Sequence, residues 1–254
     1  MVIVQSLWVG NKLSRMEYYS ILSFIKQGYT FHLYTYNEVA NIPFGTIIKD
    51  ANEILPIKEI FSLKGSYLPY SDIWRYRLLY LKGGYWCDLD MICLKRFDTD
   101  AEYIISSEHT MQSGAYKSKL PYVSNIGILK APIGSLMFKN LYEKCSKYQT
   151  KNKNIDKLKY MKIFRNYVNK YGFDEYIKPP EDFCPLSWWN AEEAFMSKSV
   201  IKWAVNPLSD EYILNNSYTI HFWRDKVTKT HKLDLDKIYN EESLWEKSIK
   251  KILE

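Results

Sequence analysis

Residues 71–91 restrict the fold of this chain more than any other part of its sequence. Their first half carries apolar residues at i, i+4 and i+7, which predicts a helix capped by Ser71. The pair Gly83-Gly84 is expected to end that helix, and residues 85–90 are predicted to form a strand that runs into a loop. A helix followed at once by an apolar strand is typical of proteins in which helices cover a sheet.

The start of the chain predicts the same class of fold. Residues 2–8 read as a buried strand, and Ser14 with Glu17 forms a capping box that opens a helix ending at Gly28. Residues 31–36 alternate in hydrophobicity and are rich in aromatic side chains, so they are predicted to be a second strand. Because this β-α-β order is the usual start of a nucleotide-binding sheet, we expect an α/β fold.

The rest of the sequence continues with strands and helices. A chain of 254 residues fits one large core, so we expect a single domain over residues 1–254. Further strands are predicted at residues 91–94, 103–107, 123–130 and 218–223, and helices at residues 135–148 and 241–253.

Composition and charge limit the function classes. No stretch approaches the ~18–20 apolar residues that span a bilayer, and the start lacks the basic region and cleavage site of a secretion signal. A cytoplasmic location is therefore expected. The cysteines show no metal-ligand spacing and are interpreted as reduced structural thiols; they are Cys87, Cys93, Cys145 and Cys184.

The net charge of +6 is concentrated in residues 144–170, which we call the basic segment. Nine Lys and Arg residues against one acid, Asp156, give it +8, which leaves −2 for the remainder. We expect a basic helical insertion or lobe at about residues 144–178. A solvated helical face is the simpler interpretation, and peripheral contact with an anionic membrane or an acidic acceptor is the alternative. No nucleic-acid motif accompanies the charge, so nucleic acid is not expected as a partner.

Two aspartates at the end of the predicted strand indicate metal chemistry. Strand side chains alternate between faces, so Asp88 and Asp90 are expected to point the same way, with Leu89 opposite. Two such carboxylates repel each other unless a cation lies between them. Oxygen ligands suit Mg²⁺ or Mn²⁺ and would leave positions for diphosphate oxygens. On the preceding helix, Asp72 and Arg75 share a face and could hold sugar hydroxyls or phosphate.

This combination resembles the glycosyltransferases whose sugar-binding region contains a DXD motif. They include initiating α-1,6-mannosyltransferases of the yeast type, α-1,4-galactosyltransferases, bacterial capsule enzymes and, more distantly, clostridial glucosylating toxins. The similarity extends over most of the chain and is weakest across residues 144–178. Beyond residues 71–91 it rests on the segments LWVG at 7–10, SNIG at 124–127 with Ala131-Pro132, EDFCPLSW at 181–188 and SYTIHFW at 217–223.

The resemblance implies a GT-A fold with a Rossmann-like nucleotide-binding sheet, an NDP-sugar donor, a divalent cation (Mn²⁺ or Mg²⁺) and retention of anomeric configuration. It assigns the catalytic residues Asp72, Arg75, Asp88 and Asp90, and the metal ligands Asp90, Asp88 and His221. The donor-binding residues that it implies are Trp8, Val9, Gly10, Asp72, Arg75, Trp86, Asp88, Asn125, His221 and Trp223. In this set Trp8 would stack on the nucleobase, and Asp72 with Arg75 would hold the donor sugar. Trp86 stands where related enzymes often carry Tyr, which leaves the identity of the donor sugar open.

The sequence therefore predicts a metal-dependent retaining glycosyltransferase. A UDP-sugar is favoured over a GDP-sugar as donor, and a glycan or lipid-linked glycan is expected as acceptor. Front-face attack assisted by the leaving phosphate is favoured over a carboxylate nucleophile, which no residue of the sequence indicates. The alternatives are a catalytically silent sugar-nucleotide or glycan-binding module, a toxin-like enzyme that glycosylates protein and, less well supported, a metal-dependent phosphohydrolase.

Overall fold

A computed structural model describes residues 2–63, 65–97, 99–111, 117–151, 159–196 and 208–254. The centre of the fold is one six-stranded sheet with helices packed against it. The strands are β1 (Ile3–Trp8), β2 (Thr30–Thr35), β3 (Ile47–Asp50), β4 (Gly84–Cys87), β5 (Met91–Cys93), β6 (Ile104–His109), β7 (Tyr122–Ala131) and β8 (Thr219–His221). The α-helices are α1 (Arg15–Lys26), α2 (Leu68–Lys82), α3 (Leu136–Lys151), α4 (Lys159–Lys170), α5 (Pro180–Phe183), α6 (Asp210–Asn216), α7 (Arg224–Lys229) and α8 (Leu244–Leu253).

The large sheet has the strand order β3-β2-β1-β4-β7-β6. The first four of these pair in parallel, whereas β7 is antiparallel to both β4 and β6. The carboxyl ends of β1 and β4 therefore meet at one edge of the sheet, where parallel sheets bind ligands. This arrangement confirms the predicted α/β fold class.

The predicted capping box at the start of α1 is also confirmed. The side chain of Ser14 accepts a hydrogen bond from a backbone amide of the first turn. The side chain of Glu17 accepts a hydrogen bond from the backbone amide of Ser14 at 2.8 Å. The two residues thereby satisfy amide groups that have no partner inside the helix. The helix is followed by Gly28 at a φ of 78°, a left-handed conformation that glycine adopts at little cost.

Two predicted boundaries were wrong. Helix α2 begins at Leu68 instead of Ser71, with Pro69 in its first turn, where the missing amide proton costs nothing. The hydroxyl of Ser71 does not cap the helix but accepts from the guanidinium of Arg75 at 3.2 Å. Strand β4 ends at Cys87, so Asp88 and Asp90 lie in a turn instead of a strand, and their common direction comes from that turn.

The basic segment is helical where the structure describes it, in α3 and α4. Buried side chains of α4 belong to the same core cluster as the buried face of α2. One of these contacts is a stack of Phe164 on Tyr76, with ring centroids 6.1 Å apart and planes 7° apart. Within the described ranges, the helices are too short or too polar to cross a bilayer.

A second, two-stranded sheet joins distant parts of the chain. Strand β5 pairs with β8 in an antiparallel register that sets Met91 opposite His221. The amide of Phe222 donates to the backbone oxygen of Asp90 at 2.8 Å. The turn after β4 is thereby fixed against the segment that follows β8.

Candidate metal and donor site

Three potential metal ligands lie at the carboxyl end of β4. Asp88 and Asp90 come from the turn between β4 and β5, and His221 is the last residue of β8. One ligand atom from each of the three lies within 4.8 Å of the other two. The imidazole Nε2 of His221 is 3.2 Å from Oδ1 of Asp90. Because β5 pairs with β8, the turn and the histidine are held together by backbone hydrogen bonds.

Burial and charge set the protonation of this cluster. Burial raises the pKa of Asp88, although Arg75 opposes the rise. Burial also works to raise the pKa of Asp90, but His221 and the amide of Arg224 outweigh it and lower that pKa. For His221, burial would lower the pKa, but Asp90 raises it well above its usual value. The imidazolium therefore holds a positive charge beside the carboxylates in the absence of another cation.

The surroundings of His221 fix the direction of its ring. The Sγ atom of Cys184 lies 3.9 Å from Nδ1, which leaves Nε2 towards Asp90. Trp223 stacks on the imidazole with a centroid distance of 4.0 Å, and its backbone is left-handed at a φ of 53°. Such a conformation is uncommon for a bulky residue and is typical of functional sites. Cys184 therefore helps to position the His221 ring, a role that the spacing of the cysteines in the sequence did not indicate.

Arg75 and Trp86 hold Asp88 from the interior side. The guanidinium Nη1 of Arg75 donates to Oδ1 of Asp88 at 2.8 Å, and the indole Nε1 of Trp86 donates to the same oxygen at 2.9 Å. Both residues are only 1% exposed. Arg75 also donates to the backbone oxygens of Ile126 and Ser71, so its nitrogens are directed at protein groups. The structure thus places both residues where they position Asp88 rather than at the surface of the site.

Asp72 lies beside Arg75 on α2. Its Oδ1 is 3.2 Å from Nη2 of Arg75, and the residue is 5% exposed. Burial raises the pKa of Asp72 to about 7, with Arg75 acting in the opposite direction. The carboxyl group is thereby poised between its neutral and charged forms near neutral pH, in a position next to the pair Arg75–Asp88.

Arg224, which was not identified from the sequence, links Trp8 at the end of β1 to Asp90. The backbone amide of Arg224 donates to Oδ2 of Asp90 at 2.7 Å, and its Nε donates to Glu17 at 2.6 Å. Its guanidinium carbon lies 5.4 Å from the ring centroid of Trp8, the last residue of β1. Glu17 is fully buried, so the arginine neutralises its charge.

Trp8 is half-buried at the edge of the sheet where β4 ends. Its Nε1 is buried without a hydrogen-bond partner among the described residues. A side chain at Gly10 would come within 2.9 Å of this nitrogen, so only glycine permits the approach of the loop after β1. The loop also contains Val9, which packs at the edge of the core.

Asn125 lies beneath the cluster on β7. Its Oδ1 accepts from the amide of Gly127 at 2.6 Å, and its amide group donates to Glu108. A side chain at Gly127 would meet Oδ1 of Asn125 at 2.9 Å and Nδ1 of His221 at 3.5 Å. The amide side chain is thus engaged inside the protein and 2% exposed. It connects the metal ligands to the charged pair of Glu108 and Arg165, which lie 3.1 Å apart.

The three ligands suit a divalent cation. Two carboxylate oxygens and one imidazole nitrogen form a mixed set that Mn²⁺ and related ions accept. A dication between Asp88 and Asp90 would replace the positive charge that the His221 imidazolium now supplies. The second-sphere contacts of Arg75, Trp86 and Cys184 are of the kind that orient metal ligands.

Comparisons with known proteins give a family match to part of the chain. No curated protein matches the chain significantly. One similar solved structure is that of "PaToxG Glycosyltransferase", which is 16% identical, with 68% of this chain and 71% of that chain covered and a TM-score of 0.48. Residues 14–112, which include Asp72, Arg75, Asp88 and Asp90, match the glycosyltransferase sugar-binding region containing the DXD motif, and this match confirms the family resemblance that the sequence indicated.

Proposed function

We propose that this chain is a metal-dependent glycosyltransferase that moves a sugar from an NDP-sugar to an acceptor hydroxyl with retention of configuration. The observation that carries the proposal is the trio Asp88, Asp90 and His221, whose ligand atoms lie within 4.8 Å of one another. Two of its members lie inside the stretch that matches the glycosyltransferase family. The trio occupies the edge of the sheet at which nucleotide-binding α/β folds bind their ligands.

The donor is proposed to lie across the carboxyl ends of β1 and β4. In this arrangement Trp8 stacks on the nucleobase, with Val9 and Gly10 shaping the loop that carries it. The guanidinium of Arg224, which lies over Trp8 and bonds to Glu17, faces the diphosphate. Asp72 contacts the donor sugar, and a UDP-sugar is favoured over a GDP-sugar on the family resemblance.

Asp88, Asp90 and His221 would hold Mn²⁺ or Mg²⁺, which supplies Lewis-acid stabilisation of the charge that grows on the diphosphate. The protein contributes the geometry. Arg75 and Trp86 keep Asp88 in place, and Arg224 adds positive charge next to the departing group.

In the transfer, the bond between the anomeric carbon and the phosphate oxygen breaks, and its electron pair leaves with the diphosphate. A new bond forms between the anomeric carbon and the acceptor oxygen, and the hydroxyl proton passes to the diphosphate. We propose attack from the face of the leaving group, which retains configuration without a carboxylate nucleophile. A glycan or lipid-linked glycan is proposed as the acceptor.

Peripheral membrane contact by the basic segment stays a prediction. Lys153 and Lys157, two of the lysines on which it rests, lie outside the described residues, and so does the side chain of Lys151. Arg165, a fourth positive charge of the segment, is paired with Glu108 rather than directed at a membrane. Sedimentation with anionic and neutral vesicles would test the prediction, since contact of the segment requires binding to anionic vesicles alone, with release by salt.

The proposed function is tested by incubating the protein with a panel of UDP- and GDP-sugars in the presence of Mn²⁺, Mg²⁺ or EDTA. We expect release of NDP from one donor or a narrow set of donors, with metal, and no release with EDTA. A silent binding module would bind NDP without turnover. A phosphohydrolase would also cleave simple phosphate esters, which we expect to stay intact.

A further inference from the structure

The end of the large sheet that lies opposite to the metal ligands carries a group of exposed apolar side chains. Helix α2 and strand β7 end there, and strands β1 and β3 begin there. Three of the four most exposed large apolar side chains of the described residues lie at this end: Phe44 at 99%, Ile133 at 75% and Leu136 at 70%. Together with the less exposed Ile3, Ile47 and Leu81, they form what we call the apolar rim.

Local contacts place both halves of the rim at this end of the sheet. A side chain at Gly83, the residue after α2, would meet the backbone nitrogen of Ile133 at 2.6 Å. Phe44 precedes β3 by three residues, and a side chain at its neighbour Gly45 would meet Ile25, near the end of α1, at 3.4 Å. Single exposed apolar side chains are normal, but several at one end of a protein indicate a surface that binds a partner.

A cavity of about 230 Å³ lies at the same end of the sheet. Helix α2 packs on the sheet face that carries Leu7 and Trp86, but it ends at Lys82 and leaves the first part of that face uncovered. The cavity occupies this uncovered part. Its lining is mainly polar and includes Gln5, His32, Tyr34, Lys49, Glu53 and Lys82.

The charged groups of the lining favour an anion. Lys82 is paired with Glu53 at 3.3 Å, whereas Lys49 has no ion-pair partner in the described part of the chain. Burial lowers the pKa of His32, and the charge of Lys49 lowers it further. The imidazole is therefore neutral near neutral pH and has one N–H to donate. With one positive charge in excess, the cavity attracts an anion to Lys49, next to the donor of His32.

The inner wall of the cavity adds a third donor. Gln5 is 3% exposed, and its side-chain amide donates to the backbone oxygen of Gly83 at 2.7 Å. The hydroxyl of Tyr34 lies 3.4 Å from Oε1 of Gln5, a long contact that a closer acceptor could replace. A carboxylate has two acceptor oxygens, but a phosphate monoester has three. The hydroxyl and the nitrogens of Lys49 and His32 therefore match a phosphate monoester better than a carboxylate.

The cavity and the apolar rim belong to one surface. Ile3 lines the cavity and is a member of the rim, and Gly83 lines the cavity and lies against Ile133. A partner for this surface has to offer phosphate groups directly beside hydrocarbon. A leaflet of anionic phospholipid has this chemistry, because its headgroups lie next to its acyl chains.

We propose that this surface binds an anionic phospholipid bilayer, with the phosphate monoester of a headgroup in the cavity and the apolar rim inserted among the lipids. Lys49, His32 and Tyr34 hold the phosphate. The proposal does not depend on sugar transfer, and it concerns a different surface from the basic segment. The metal ligands would face away from the bilayer, an orientation that suits a free glycan as acceptor better than a lipid-linked one.

The experiment measures sedimentation of the full chain with vesicles of phosphatidylcholine alone, or mixed with phosphatidic acid or phosphatidylserine at equal surface charge. The wild type is compared with Ile133→Asp in the rim and Lys49→Gln in the cavity. The matched controls are Ile238→Asp and Lys237→Gln. Ile238 is 73% exposed, and the backbone oxygen of Lys237 accepts from Arg15 at the start of α1, so both controls lie at the other end of the sheet. Thermal melts, NDP release and calorimetric titration with inorganic phosphate complete the set.

We expect the wild type and both controls to sediment with phosphatidic acid vesicles, less with phosphatidylserine and not with phosphatidylcholine alone. Ile133→Asp should weaken vesicle binding about tenfold or more, because a charge replaces a side chain that enters the hydrocarbon. Lys49→Gln should weaken it about fivefold, the effect of one basic side chain near an anionic surface, and should lose the preference for phosphatidic acid.

Absence of vesicle binding by the wild type would overturn the proposal. Wild-type binding by both rim and cavity variants would assign membrane contact to the basic segment instead. Equal binding to phosphatidic acid and phosphatidylserine would exclude a headgroup in the cavity, and binding of inorganic phosphate without binding of vesicles would assign the cavity to a free anion. NDP release should be the same in all five proteins, so failure of the proposed function would appear separately, as lack of turnover by the wild type.

Discussion

The Nδ1 atom of His221 lies 3.5 Å from the point where a side chain of Gly127 would begin. The absence of that side chain lets β7 pass directly beneath the imidazole, while Nε2 faces Asp90. The geometry of the candidate metal site thus depends on a residue that offers no ligand atom.

We predict that Gly127→Ala weakens Mn²⁺ binding about tenfold or more, in the range found when residues around metal ligands are changed. The added methyl group would lie 3.0 Å from the sulfur of Met91 and 2.9 Å from Oδ1 of Asn125, so the His221 ring or β7 must shift. Calorimetric titration with Mn²⁺ checks this.

The control is Gly134→Ala, where no atom lies within 4 Å of the added methyl group but φ is +78°. It should cost about 1–2 kcal/mol of stability through backbone strain and leave the Mn²⁺ affinity intact. Equal Mn²⁺ affinities for Gly127→Ala and the wild type would contradict the site geometry.

Trp86→Phe should weaken Mn²⁺ binding by about tenfold, since it removes the hydrogen bond from Nε1 to Asp88 while it keeps an aromatic ring. Trp74→Phe makes the same exchange at a buried ring whose centroid lies 6.1 Å from that of Trp86. Both variants should melt earlier, but only Trp86→Phe should lose metal affinity. A common loss in the two would mean that general packing, and not the bond to Asp88, holds the site.

Replacing Arg224 by Gln should reduce the affinity for UDP about tenfold, the value of one charge-assisted hydrogen bond. The same change should destabilise the fold, because the buried carboxylate of Glu17 loses its partner. The double variant Arg224→Gln/Glu17→Gln removes that buried charge and should regain part of the stability without regaining UDP affinity. If the double variant recovers both, the arginine serves only to neutralise Glu17.

Trp8→Ala should lower the affinity for free UDP by tenfold or more, because stacking of an aromatic ring on a base contributes about 1–3 kcal/mol. The same loss should be seen with UDP and with the UDP-sugar, since the contact is to the base. Earlier melting with unchanged UDP affinity would assign Trp8 to the core that it borders.

Local patterns predicted the parts of this structure that depend on neighbouring residues. The capping box of Ser14 and Glu17 and the strand that ends near Asp88 follow from short stretches of sequence, and both are present. The strand β3 was missed because its residues are polar or exposed and show no buried face. The reversed direction of β7 could not be predicted, since an apolar run does not specify the direction of pairing.

The candidate site likewise contains residues that the sequence predicted and contacts that it did not. Asp88 and Asp90 were found by their spacing, and His221 by family resemblance, but nothing in the sequence indicated that Arg224 bonds to both Asp90 and Glu17. That contact depends on the pairing of the three-residue strands β5 and β8, which are too short to carry a periodic signal. Burial of Arg75 was also hidden, because its partners come from three separate segments.

We propose above all that a cation held by Asp90 drives sugar transfer, and turnover by Asp90→Asn tests this most directly. The variant keeps the size of the side chain and an oxygen that can accept from the amide of Arg224, so the chain should fold. NDP release from the preferred NDP-sugar is measured for the wild type and the variant at saturating Mn²⁺, with a thermal melt of each. We expect an intact melting transition and loss of metal-dependent turnover in the variant. Turnover at the wild-type rate by folded Asp90→Asn would contradict the proposal.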